Sequence, residues 1–392
     1  MRTAFVTKRP RALLRSYGLL PISCVATTLI GCGSAPMAPT TPAVATPTIK
    51  PKFAYTGNQG ASLSGYAVDP STGELTPLSG FPLPVGANPT SVTHDPQNRF
   101  LFVSDIAYNM LHVYAISPTT GALSEISPSP YNTMIESETV IVDPSGTHVY
   151  LYRTGASTSY PGVSGNQIVA FNLGSTGILS PIKGSPFTVG APGAAFESDF
   201  GMVIDPAGKF LFLKNSSQLY AFAIDAATGG LTLLQTLAAQ QFGDIAVDPG
   251  GLYMYAAGAS ALVSYAIDPR SGLLSLAKST PAAEGGGAYT IAISPNGNYA
   301  YTVEGNDMVS YTVSNGAFTH VGTVYPGVYG QHIAVDPSGS FVYVPQACSY
   351  CASSPYNIVH EFSIAKTGAL TPLATPMVAS GVTPWSMTVT SE

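Results

Sequence analysis

The sequence predicts an all-β fold, and three recurring patterns in its 392 residues carry that prediction. An Asp-Pro-x-Gly type of turn recurs six times. A Gly followed two residues later by a hydrophobic residue recurs seven times, and aromatic residues recur at fixed places between the two. A repeat of roughly 50 residues with strand-like alternation is typical of propeller blades rather than of helical solenoids. The sequence therefore predicts a seven-bladed β-propeller of four-stranded blades.

The first pattern marks a tight connection between two strands of a blade. Gly follows two residues after the Pro in five of the six turns, and Asn98 takes its place in the other. Pro presets φ in such a turn and Gly supplies a positive φ. The turns begin at Asp95, Asp143, Asp205, Asp248, Ser294 and Asp336. The second pattern marks a hairpin at Gly73, Gly121, Gly177, Gly229, Gly272, Gly316 and Gly368.

The third pattern predicts the core. Because strand side chains alternate, an aromatic residue and the aliphatic residue two positions later share one face of a strand. We expect these faces to pack between blades. One aromatic lies in the strand after each turn, at Tyr55, Phe102, Tyr150, Phe212, Tyr255, Tyr301 and Tyr343. The next strand carries Tyr66, Tyr114, Phe171, Phe222, Tyr265, Tyr311 and Phe362, followed by Val68, Ile116, Leu173, Ile224, Ile267, Val313 and Ile364.

The two chain ends are predicted to complete one blade together. Six inner strands lead into the six turns, and a seventh, Met387–Thr390, has no turn after it. The chain start from Phe53 to Leu78 supplies three strands but no inner one. Joining them covers edges that an open sheet would expose. The propeller is expected to span residues 52–392.

The first 51 residues predict export and a membrane anchor. Five bases precede a short apolar stretch, Tyr17 to Ile30, which has the length and flanks of a signal peptide. It ends in Leu-Ile-Gly-Cys, which resembles a bacterial lipobox, so residues 1–31 are predicted to be a lipoprotein signal peptide with lipid on Cys32. The alternative is a plain signal peptide cut at another small residue. Residues 32–51 are Pro-rich, and this composition predicts an extended tether.

The composition restricts the partners. Removing the leader with its five bases leaves ten bases and 21 acids, a formal charge of −11. Clustered Lys and Arg are absent, so no nucleic-acid partner is expected. We expect the lipid bilayer as one partner, through Cys32, and a cell-envelope location that is periplasmic or on the outer surface. Neither a cofactor nor a metal is expected, because no second ligand pair accompanies the two remaining cysteines.

Those cysteines, Cys348 and Cys351, have the spacing Cys-x-x-Cys. Export into an oxidising compartment favours a local disulfide that staples a loop. A pair of free thiols, or a redox or metal role, stays open as an alternative.

The combination of Asp-Pro-x-Gly turns, Tyr-Val strands and Thr-Gly-x-Leu hairpins resembles the lactonase-type seven-bladed propellers, which include bacterial 6-phosphogluconolactonase-like and YVTN-repeat proteins. The resemblance covers residues 52–392. It implies lactone hydrolysis by His, Arg and Glu near the pore mouth. Gly330-Gln331-His332 matches a Pro-Arg-His motif of the family without its Arg, and Val303-Glu304-Gly305 loosely matches a second motif. His332 and Glu304 are therefore the catalytic candidates. The alternative roles are a hydrogen-bonded pore residue and a solvated loop acid.

Strand direction places the repeated turns on one face and the variable loops on the other. The variable loops are predicted to be residues 153–167, 183–201 and 345–357, and variable loops on a rigid scaffold often bind ligands. The predicted ligand-binding face carries Asp105, Glu138, Arg153, Asp244 and Asp307, with Glu136, Glu197, Asp199 and Lys214 as further candidates. The other five histidines, His94, His112, His148, His320 and His360, are predicted to be structural.

Two functions remain open from the sequence. One is a binding scaffold for a small molecule or an envelope protein, favoured by the missing arginine and the extracytoplasmic address. The other is a lactone hydrolase. The sequence lacks a Gly-x-Ser-x-Gly elbow, a phosphate loop and a His-Glu-x-x-His motif. It therefore does not indicate the enzyme classes that use these motifs.

Overall fold

A computed structural model of the chain describes residues 49–133, 137–153, 166–190, 201–215, 218–238, 242–324, 330, 332–346 and 357–392. These residues form seven antiparallel sheets, which are the seven blades of a propeller. The predicted fold class is therefore confirmed. Within the described residues, no helix is long and apolar enough to cross a membrane.

The strands follow one another blade by blade. Blade 1 contains β1 (Pro51–Asn58), β2 (Ser62–Val68), β3 (Leu75–Pro77) and β4 (Leu83–Pro84), and blade 2 contains β5 (Pro89–His94), β6 (Phe100–Asp105), β7 (Met110–Ile116), β8 (Leu123–Glu125) and β9 (Tyr131–Asn132). Blade 3 contains β10 (Ser137–Val142), β11 (His148–Arg153), β12 (Asn166–Leu173), β13 (Leu179–Pro181) and β14 (Phe187–Val189). Blade 4 contains β15 (Gly201–Ile204), β16 (Phe210–Lys214), β17 (Gln218–Ile224) and β18 (Leu231–Ala238). Blade 5 contains β19 (Phe242–Val247), β20 (Tyr253–Gly258), β21 (Ala261–Ile267) and β22 (Leu274–Pro281). Blade 6 contains β23 (Ala288–Ile293), β24 (Tyr299–Glu304), β25 (Asp307–Ser314) and β26 (Ala317–Val324). Blade 7 contains β27 (Ala334–Val335), β28 (Phe341–Gln346), β29 (Ile358–Ile364) and β30 (Leu370–Ala379), and the last strand is β31 (Pro384–Ser391).

The chain ends close the ring inside blade 1. The C-terminal β31 pairs antiparallel with the N-terminal β1, with Ala54 opposite Val389 and Thr56 opposite Met387. Each inner strand also contacts the inner strands of the two neighbouring blades, in the order β31, β5, β10, β15, β19, β23, β27 and back to β31. The predicted closure by the two ends is thus present, and the seven inner strands surround a central channel.

The hairpin glycines fit against an aromatic ring of the preceding blade. Gly73, for example, has φ +80°, and a Cβ there would lie 2.2 Å from the ring of Phe341. Only glycine tolerates both the positive φ and the close contact. The same contact joins Phe53 to Gly121, Phe100 to Gly177, His148 to Gly229, Phe210 to Gly272, Tyr253 to Gly316 and Tyr299 to Gly368. The spacing of these glycines is therefore set by blade-to-blade packing.

The predicted core aromatics lie between the blades. All seven aromatics of the second strands are 2% exposed or less. Three of the tyrosines also donate a hydrogen bond to a hairpin glycine of the next blade: Tyr55 to the Gly121 carbonyl at 2.8 Å, Tyr150 to Gly229 at 2.9 Å and Tyr343 to Gly73 at 2.6 Å. Each of these three tyrosines therefore contributes apolar burial and one polar contact to the packing between blades.

Two details differ from the sequence-based picture. The outermost strand is continuous in blades 4–7 but is split in two in blades 1–3, with cis peptide bonds before Pro82, Pro128, Pro130 and Pro186 in the interruptions. The segment 183–201, predicted to be a loop, contains β14, which pairs with β12. Residues 153, 166, 167, 345 and 346 of the other two predicted loops also belong to strands.

Candidate functional site

The two ends of the channel open on faces of different construction. The lower face carries the turns between the first and second strands of each blade and the hairpins between the third and outer strands. The upper face carries the loops between second and third strands and the connections from one blade to the next. The connections alternate between the two faces because neighbouring strands in each sheet are antiparallel.

The central channel has a volume of about 910 Å³. Its wall comes from the inner strands of blades 1–6 and from His332 and Ile333, which precede the inner strand of blade 7, and it includes apolar residues such as Val140, Met202 and Ile291. At the upper end the wall becomes polar. Side chains that line this upper mouth include Gln59, Asn88, Thr90, Asp244, Tyr289, His332, Trp385 and Ser386. A cavity of this size, with polar groups collected at one end, is typical of a small-molecule site.

Asp244 brings the one described carboxylate into the channel lining. It lies in β19, and its Oδ1 accepts the Ile245 N–H at 2.8 Å, while the Thr290 hydroxyl lies 3.4 Å from its Oδ2. Burial raises the pKa of Asp244 to about 6, and the positive charge of Lys214 and these two hydrogen bonds offset only part of that effect. The carboxyl can therefore change protonation state near neutral pH.

His332 lines the same channel just before β27. Burial lowers the pKa of its imidazole to about 4, so the ring is neutral at pH 7. Its Nδ1 is buried and has no hydrogen-bond partner among the described residues. The structure thus places His332 in the channel lining, with a neutral ring and one buried nitrogen that has no partner among the described residues.

Four polar atoms on residues of the channel lining have no hydrogen-bond partner among the described residues. Besides His332 Nδ1, they are Asn88 Oδ1, Thr90 Oγ1 and Ser386 Oγ, all buried and all unpaired within the described part of the chain. Together with the indole of Trp385, these residues form what we call the seam site, because they belong to blades 7, 1 and 2. Buried polar atoms are nearly always hydrogen-bonded in proteins, so these four mark a part of the channel wall where the described chain leaves polar groups unsatisfied.

Glu304, the other predicted catalytic residue, is not part of the channel lining. It ends β24, is 1% exposed, and accepts hydrogen bonds from the Thr302 hydroxyl at 3.0 Å, the Tyr311 hydroxyl and the Glu284 N–H at 3.0 Å. Its carboxylate therefore ties the blade 5–blade 6 connection to β24. The structure does not bring Glu304 into the channel beside His332.

Asp105 occupies the matching position in blade 2. It is fully buried at the end of β6 and accepts the N–H groups of Ala87, Asn88 and Ala107 at 2.8–3.0 Å. This carboxylate fixes the backbone that carries Asn88 into the seam site. Gln346, at the same place in blade 7, bridges to Gly330, two residues before His332. The last residue of a second strand is thus a support for the channel mouth.

The other predicted residues divide into two groups. Lys214 is fully buried at the end of β16, and Asp307 begins β25, where burial and the charge of Glu284 raise its pKa. Neither belongs to the channel lining. The side chains of Glu138 and Arg153, and residues Cys32, Glu136, Glu197, Asp199, Cys348 and Cys351, lie outside the described residues.

The five remaining histidines all have structural contacts. His148 packs on Gly229, and its Nδ1 lies 3.1 Å from an Asp143 oxygen. His112 lies 2.8 Å from Glu125, and His94 lies 2.6 Å from the Thr388 hydroxyl. His320 and His360 contact Thr323 and Gln346. Among the described residues, no group of three or more His, Cys, Asp or Glu side chains could hold a metal ion.

Sequence reasoning missed Asn88, Thr90, Tyr289, Trp385 and Ser386. They come from three places where neither a motif nor a charge marks the chain, and three of them, Asn88, Thr90 and Ser386, are common uncharged residues. Trp385 could have been noticed, because it is the only Trp of the chain and is the second residue of the C-terminal inner strand.

Known proteins agree with this architecture. A model of the family described as "Lactonase, 7-bladed beta-propeller" matches residues 42–142. A candidate 6-phosphogluconolactonase from Bacteroides uniformis has a similar structure, with a TM-score of 0.70 and 18% identity over 87% of this chain and 100% of that one. A periplasmic gluconolactonase from Pseudomonas aeruginosa gives a TM-score of 0.67 and 16% identity over 86% and 98%. Comparison with curated protein sequences gives no match. The predicted resemblance to lactonase-type propellers is therefore confirmed, and at these identities the structures establish a shared fold.

Proposed function

We propose that the protein binds a small, uncharged molecule at the upper mouth of its central channel. The chemistry of the lining carries this proposal. Among the described lining residues, Asp244 is the one carboxylate and none is Lys or Arg. Arg153 is the one base after residue 49 whose side chain is not described. An anion placed beside Asp244 would lose its hydration and face that carboxylate, whereas Lys214, the cation whose charge acts on Asp244, lies outside the lining.

Thermal unfolding of the full-length protein tests this proposal. Unfolding is measured in the presence of candidate ligands, and each uncharged compound is compared with its phosphorylated counterpart. A ligand at a hundred times its dissociation constant stabilises the folded protein by about 2.7 kcal/mol, which raises the unfolding midpoint measurably. Uncharged members are expected to give the larger shifts. A phosphorylated compound that stabilises more than its uncharged partner would overturn the proposal.

We also propose that the propeller is exported and held at a membrane by lipid on Cys32. The basic leader, the short apolar stretch and the Leu-Ile-Gly-Cys boundary support this location. Cys32→Ser is expected to move the protein from the membrane fraction to the soluble fraction, because the lipid is lost. Cys24→Ser, in the apolar stretch, is the matched control and should remain at the membrane. A Cys32→Ser protein that still sediments with membranes contradicts the anchor.

The pair Cys348 and Cys351 is proposed to be a local disulfide in the exported protein. Alkylation without prior reduction should leave both cysteines unmodified, as checked by intact-mass measurement. Two added alkyl groups would show free thiols instead.

Lactone hydrolysis is a second candidate, and the position of Asp244 favours it. A carboxyl with a pKa of about 6 that faces the channel suits a general base near neutral pH. Asp244 would accept a proton from water as the oxygen attacks the lactone carbonyl, and it would return the proton to the ring oxygen when the C–O bond breaks. Since the described lining offers no cation to the oxyanion, we expect rates about 10²–10³-fold below those of an enzyme that has its full set of oxyanion donors.

A lactone panel distinguishes the two candidates. If the enzyme hypothesis holds, Asp244→Asn and His332→Ala lower turnover, whereas Glu304→Gln, outside the channel lining, keeps it in folded protein. Turnover that collapses only with Glu304→Gln would restore Glu304 as the catalytic acid. Binding without turnover in the wild type leaves the first candidate.

A further inference from the structure

We infer that a patch of leucines at the lower edge of blades 4 and 5 inserts into the lipid bilayer and turns the lower face of the propeller toward the membrane. This inference rests on the proposed lipid anchor, because it names the part of the folded domain that touches the membrane to which the anchor is attached. Three features of the described residues carry it: clustered exposed leucines, exposed bases beside them, and the face on which the chain enters the propeller.

Exposed leucines are concentrated in blades 4 and 5. Among the described residues, eleven large apolar side chains are exposed, and five of them, all leucines, belong to these two blades and are 37–67% exposed. We call these five the leucine patch: Leu233, Leu234, Leu252, Leu273 and Leu276. Exposed apolar side chains that gather in one place mark a surface that contacts a protein or a membrane.

Hydrogen bonds bring these leucines to one corner of the molecule. The Gln235 side chain, on the outer strand of blade 4, accepts the Leu274 N–H at 2.8 Å and donates to the Leu274 carbonyl at 3.1 Å, on the outer strand of blade 5. The patch residues of these two strands are close to Gln235 and Leu274 in the chain. Leu252 lies alongside, because its carbonyl accepts the Ile267 N–H at 2.8 Å in the hairpin that leads to Leu273. The patch therefore runs from the lower face of blade 5 onto the outer edge of both blades.

Exposed bases border the leucine patch. Lys209 and Arg270 lie in lower-face connections of blades 4 and 5, and Lys278 lies on the outer strand of blade 5. None of the three forms an ion pair among the described residues. The nearby carboxylates of Asp205 and Asp268 accept backbone N–H groups of their own turns. An apolar surface bordered by exposed bases is typical of proteins that lie on a membrane, where the bases meet lipid phosphates.

The chain enters the propeller on the same face. Lys50 precedes β1, and its carbonyl accepts the Glu392 N–H at 2.9 Å. Asn98, in the lower turn of blade 2, donates to the Ser391 hydroxyl at 3.0 Å, so this end of blade 1 belongs to the lower face. Cys32 lies 18 positions before Lys50, and a chain of that length spans at most about 60 Å. Lipid on Cys32 would therefore hold the lower face close to the bilayer.

Two attachments on opposite sides of the ring would fix its orientation. In the order of the seven blades, blade 1, where the chain enters, lies across the ring from blades 4 and 5, which carry the leucine patch. With both sides at the bilayer, the lower face turns to the membrane and the upper mouth of the channel opens away from it. The channel then stays accessible while the protein is held at the membrane.

A second copy of the chain suits the leucine patch less well than lipid does. The outer strands β18 and β22 each contain a bulge, with Leu234 and Ala277 as the extra residues. Bulges disrupt the edge with which another strand would pair. The patch also contains none of the aromatic residues that dominate protein interfaces, where leucine is under-represented.

Quenching of tryptophan emission tests the orientation. The only tryptophan of the chain, Trp385, lies in the channel lining at the upper mouth and serves as an internal reference. Full-length lipidated protein with Leu252→Trp is bound to vesicles of phosphatidylcholine and phosphatidylglycerol with brominated acyl chains, which quench tryptophan inside the bilayer. The added tryptophan is expected to lose emission, whereas the wild-type emission does not change. Tyr108→Trp, at a similarly exposed position on the upper face, is the matched control and should not be quenched.

Further substitutions test the leucine patch itself. Leu273→Ser combined with Leu276→Ser should lower the ratio of inserted to detached protein at least about tenfold, as reported by Leu252→Trp, because two apolar side chains no longer enter the bilayer. Ile178→Ser changes an exposed residue of the lower face outside the patch and should leave that ratio unchanged.

The outcomes separate this inference from the proposed anchor. Unquenched Leu252→Trp in protein that still floats with the vesicles overturns the inference and leaves the anchor. Quenching of Tyr108→Trp to the same extent also overturns the inference. Protein that does not float with the vesicles overturns both proposals. A stable dimer that Leu273→Ser separates into monomers would make the patch a protein interface instead.

Discussion

The lower and upper faces of the propeller use carboxylates in opposite ways. On the lower face, Asp336 is fully buried and accepts four hydrogen bonds, from the N–H and hydroxyl of Ser338 and the N–H groups of Ser340 and Phe341, at 2.5–2.9 Å. On the upper face, Asp244 accepts one short hydrogen bond and one long one and faces the channel. The first carboxylate is saturated by its own turn, and the second keeps capacity for a ligand.

This difference shows which parts of the chain supply the neighbours of the carboxylates on each face. The bonds to Asp336 come from residues two to five positions later in the chain, so any Asp-Pro-x-Gly segment can form them. Asp95, Asp143, Asp205 and Asp248 make the corresponding bonds in their own blades. The surroundings of Asp244 come from blades 4 and 6. The lower face is thus a repeated local structure, and the upper face is assembled once from several blades.

The largest effect is expected from Asp336→Ala. It leaves the N–H groups of Ser340 and Phe341 without their acceptor and should lower the free energy of unfolding by about 3–4 kcal/mol. Urea denaturation measures it. Asp336→Ser is the matched comparison, because Ser294 fills this position in blade 6 and its Oγ accepts the Tyr299 N–H at 3.0 Å. If the Ser variant is no more stable than the Ala variant, side-chain acceptance is not what holds the turn.

Two glycines, one on each face, test whether packing between blades differs between the lower and upper faces. Gly272, in a lower hairpin, has φ +72°, and a Cβ there would lie 2.3 Å from the Phe210 ring; Gly285, on the upper face, has φ +68° and open space around it. Gly272→Ala should cost about 2–4 kcal/mol, from the clash and the backbone, and Gly285→Ala about 1 kcal/mol, from the backbone alone. Equal losses in unfolding midpoint would mean that packing between blades does not set the hairpin positions.

Asp244→Asn is expected to stabilise the protein, with a dependence on pH. The folded state raises the pKa of Asp244 from 3.8 to about 6, so the folded protein binds this proton more tightly than the unfolded chain does. Stability that is present below pH 3.8 is therefore lost as pH rises through 6. Above pH 7 the variant should be more stable by about 1–2 kcal/mol, allowing for the partial exposure of Asp244 to the channel. The two proteins should agree below about pH 4. A stability difference that does not change with pH would show that the carboxyl is not perturbed.

The smallest effect is expected from Ser386→Ala without ligand. Its hydroxyl has no partner to lose among the described residues, so the free energy of unfolding should change by less than about 0.5 kcal/mol. Ser310→Ala is the contrasting variant, because Ser310 is 2% exposed and donates to the Gly322 carbonyl at 3.0 Å. Its loss should cost about 1 kcal/mol. A Ser386→Ala variant that is destabilised as much as Ser310→Ala would indicate that Ser386 is already paired within the protein.

Much of the fold could be predicted because it depends on sequence patterns that span only a few residues. The turn at Asp336 and the hairpin at Gly368 are complete within a few residues, and the period-2 burial of Tyr343 follows from strand geometry. Closure by β1 and β31 followed from counting strands. The split outer strands of blades 1–3 were missed, because the interruption depends on how the segments before Pro82 and Pro186 leave and rejoin the sheet.

The candidate site was predictable only in part. His332 was placed at the channel mouth from its position before an inner strand, and the structure puts it there. Glu304 was chosen by a loose motif, and its side chain turns out to support the loop at Glu284. Both residues end or precede a strand on the same face, so sequence position could not tell a channel side chain from a loop anchor. That distinction depends on which way the last residue of a strand points and on what the next blade brings beside it.

The sequence by itself determined the repeat, the number of blades, the closure and the face on which variable loops lie, since each of these rests on contacts between residues near in the chain or on strand parity. The tertiary structure alone decided which polar groups meet in the channel. Asn88, His332 and Ser386 are separated by up to 298 positions, and no local pattern links them. They line one channel because the ring closes and brings the beginnings of the inner strands of blades 7, 1 and 2 to the same wall.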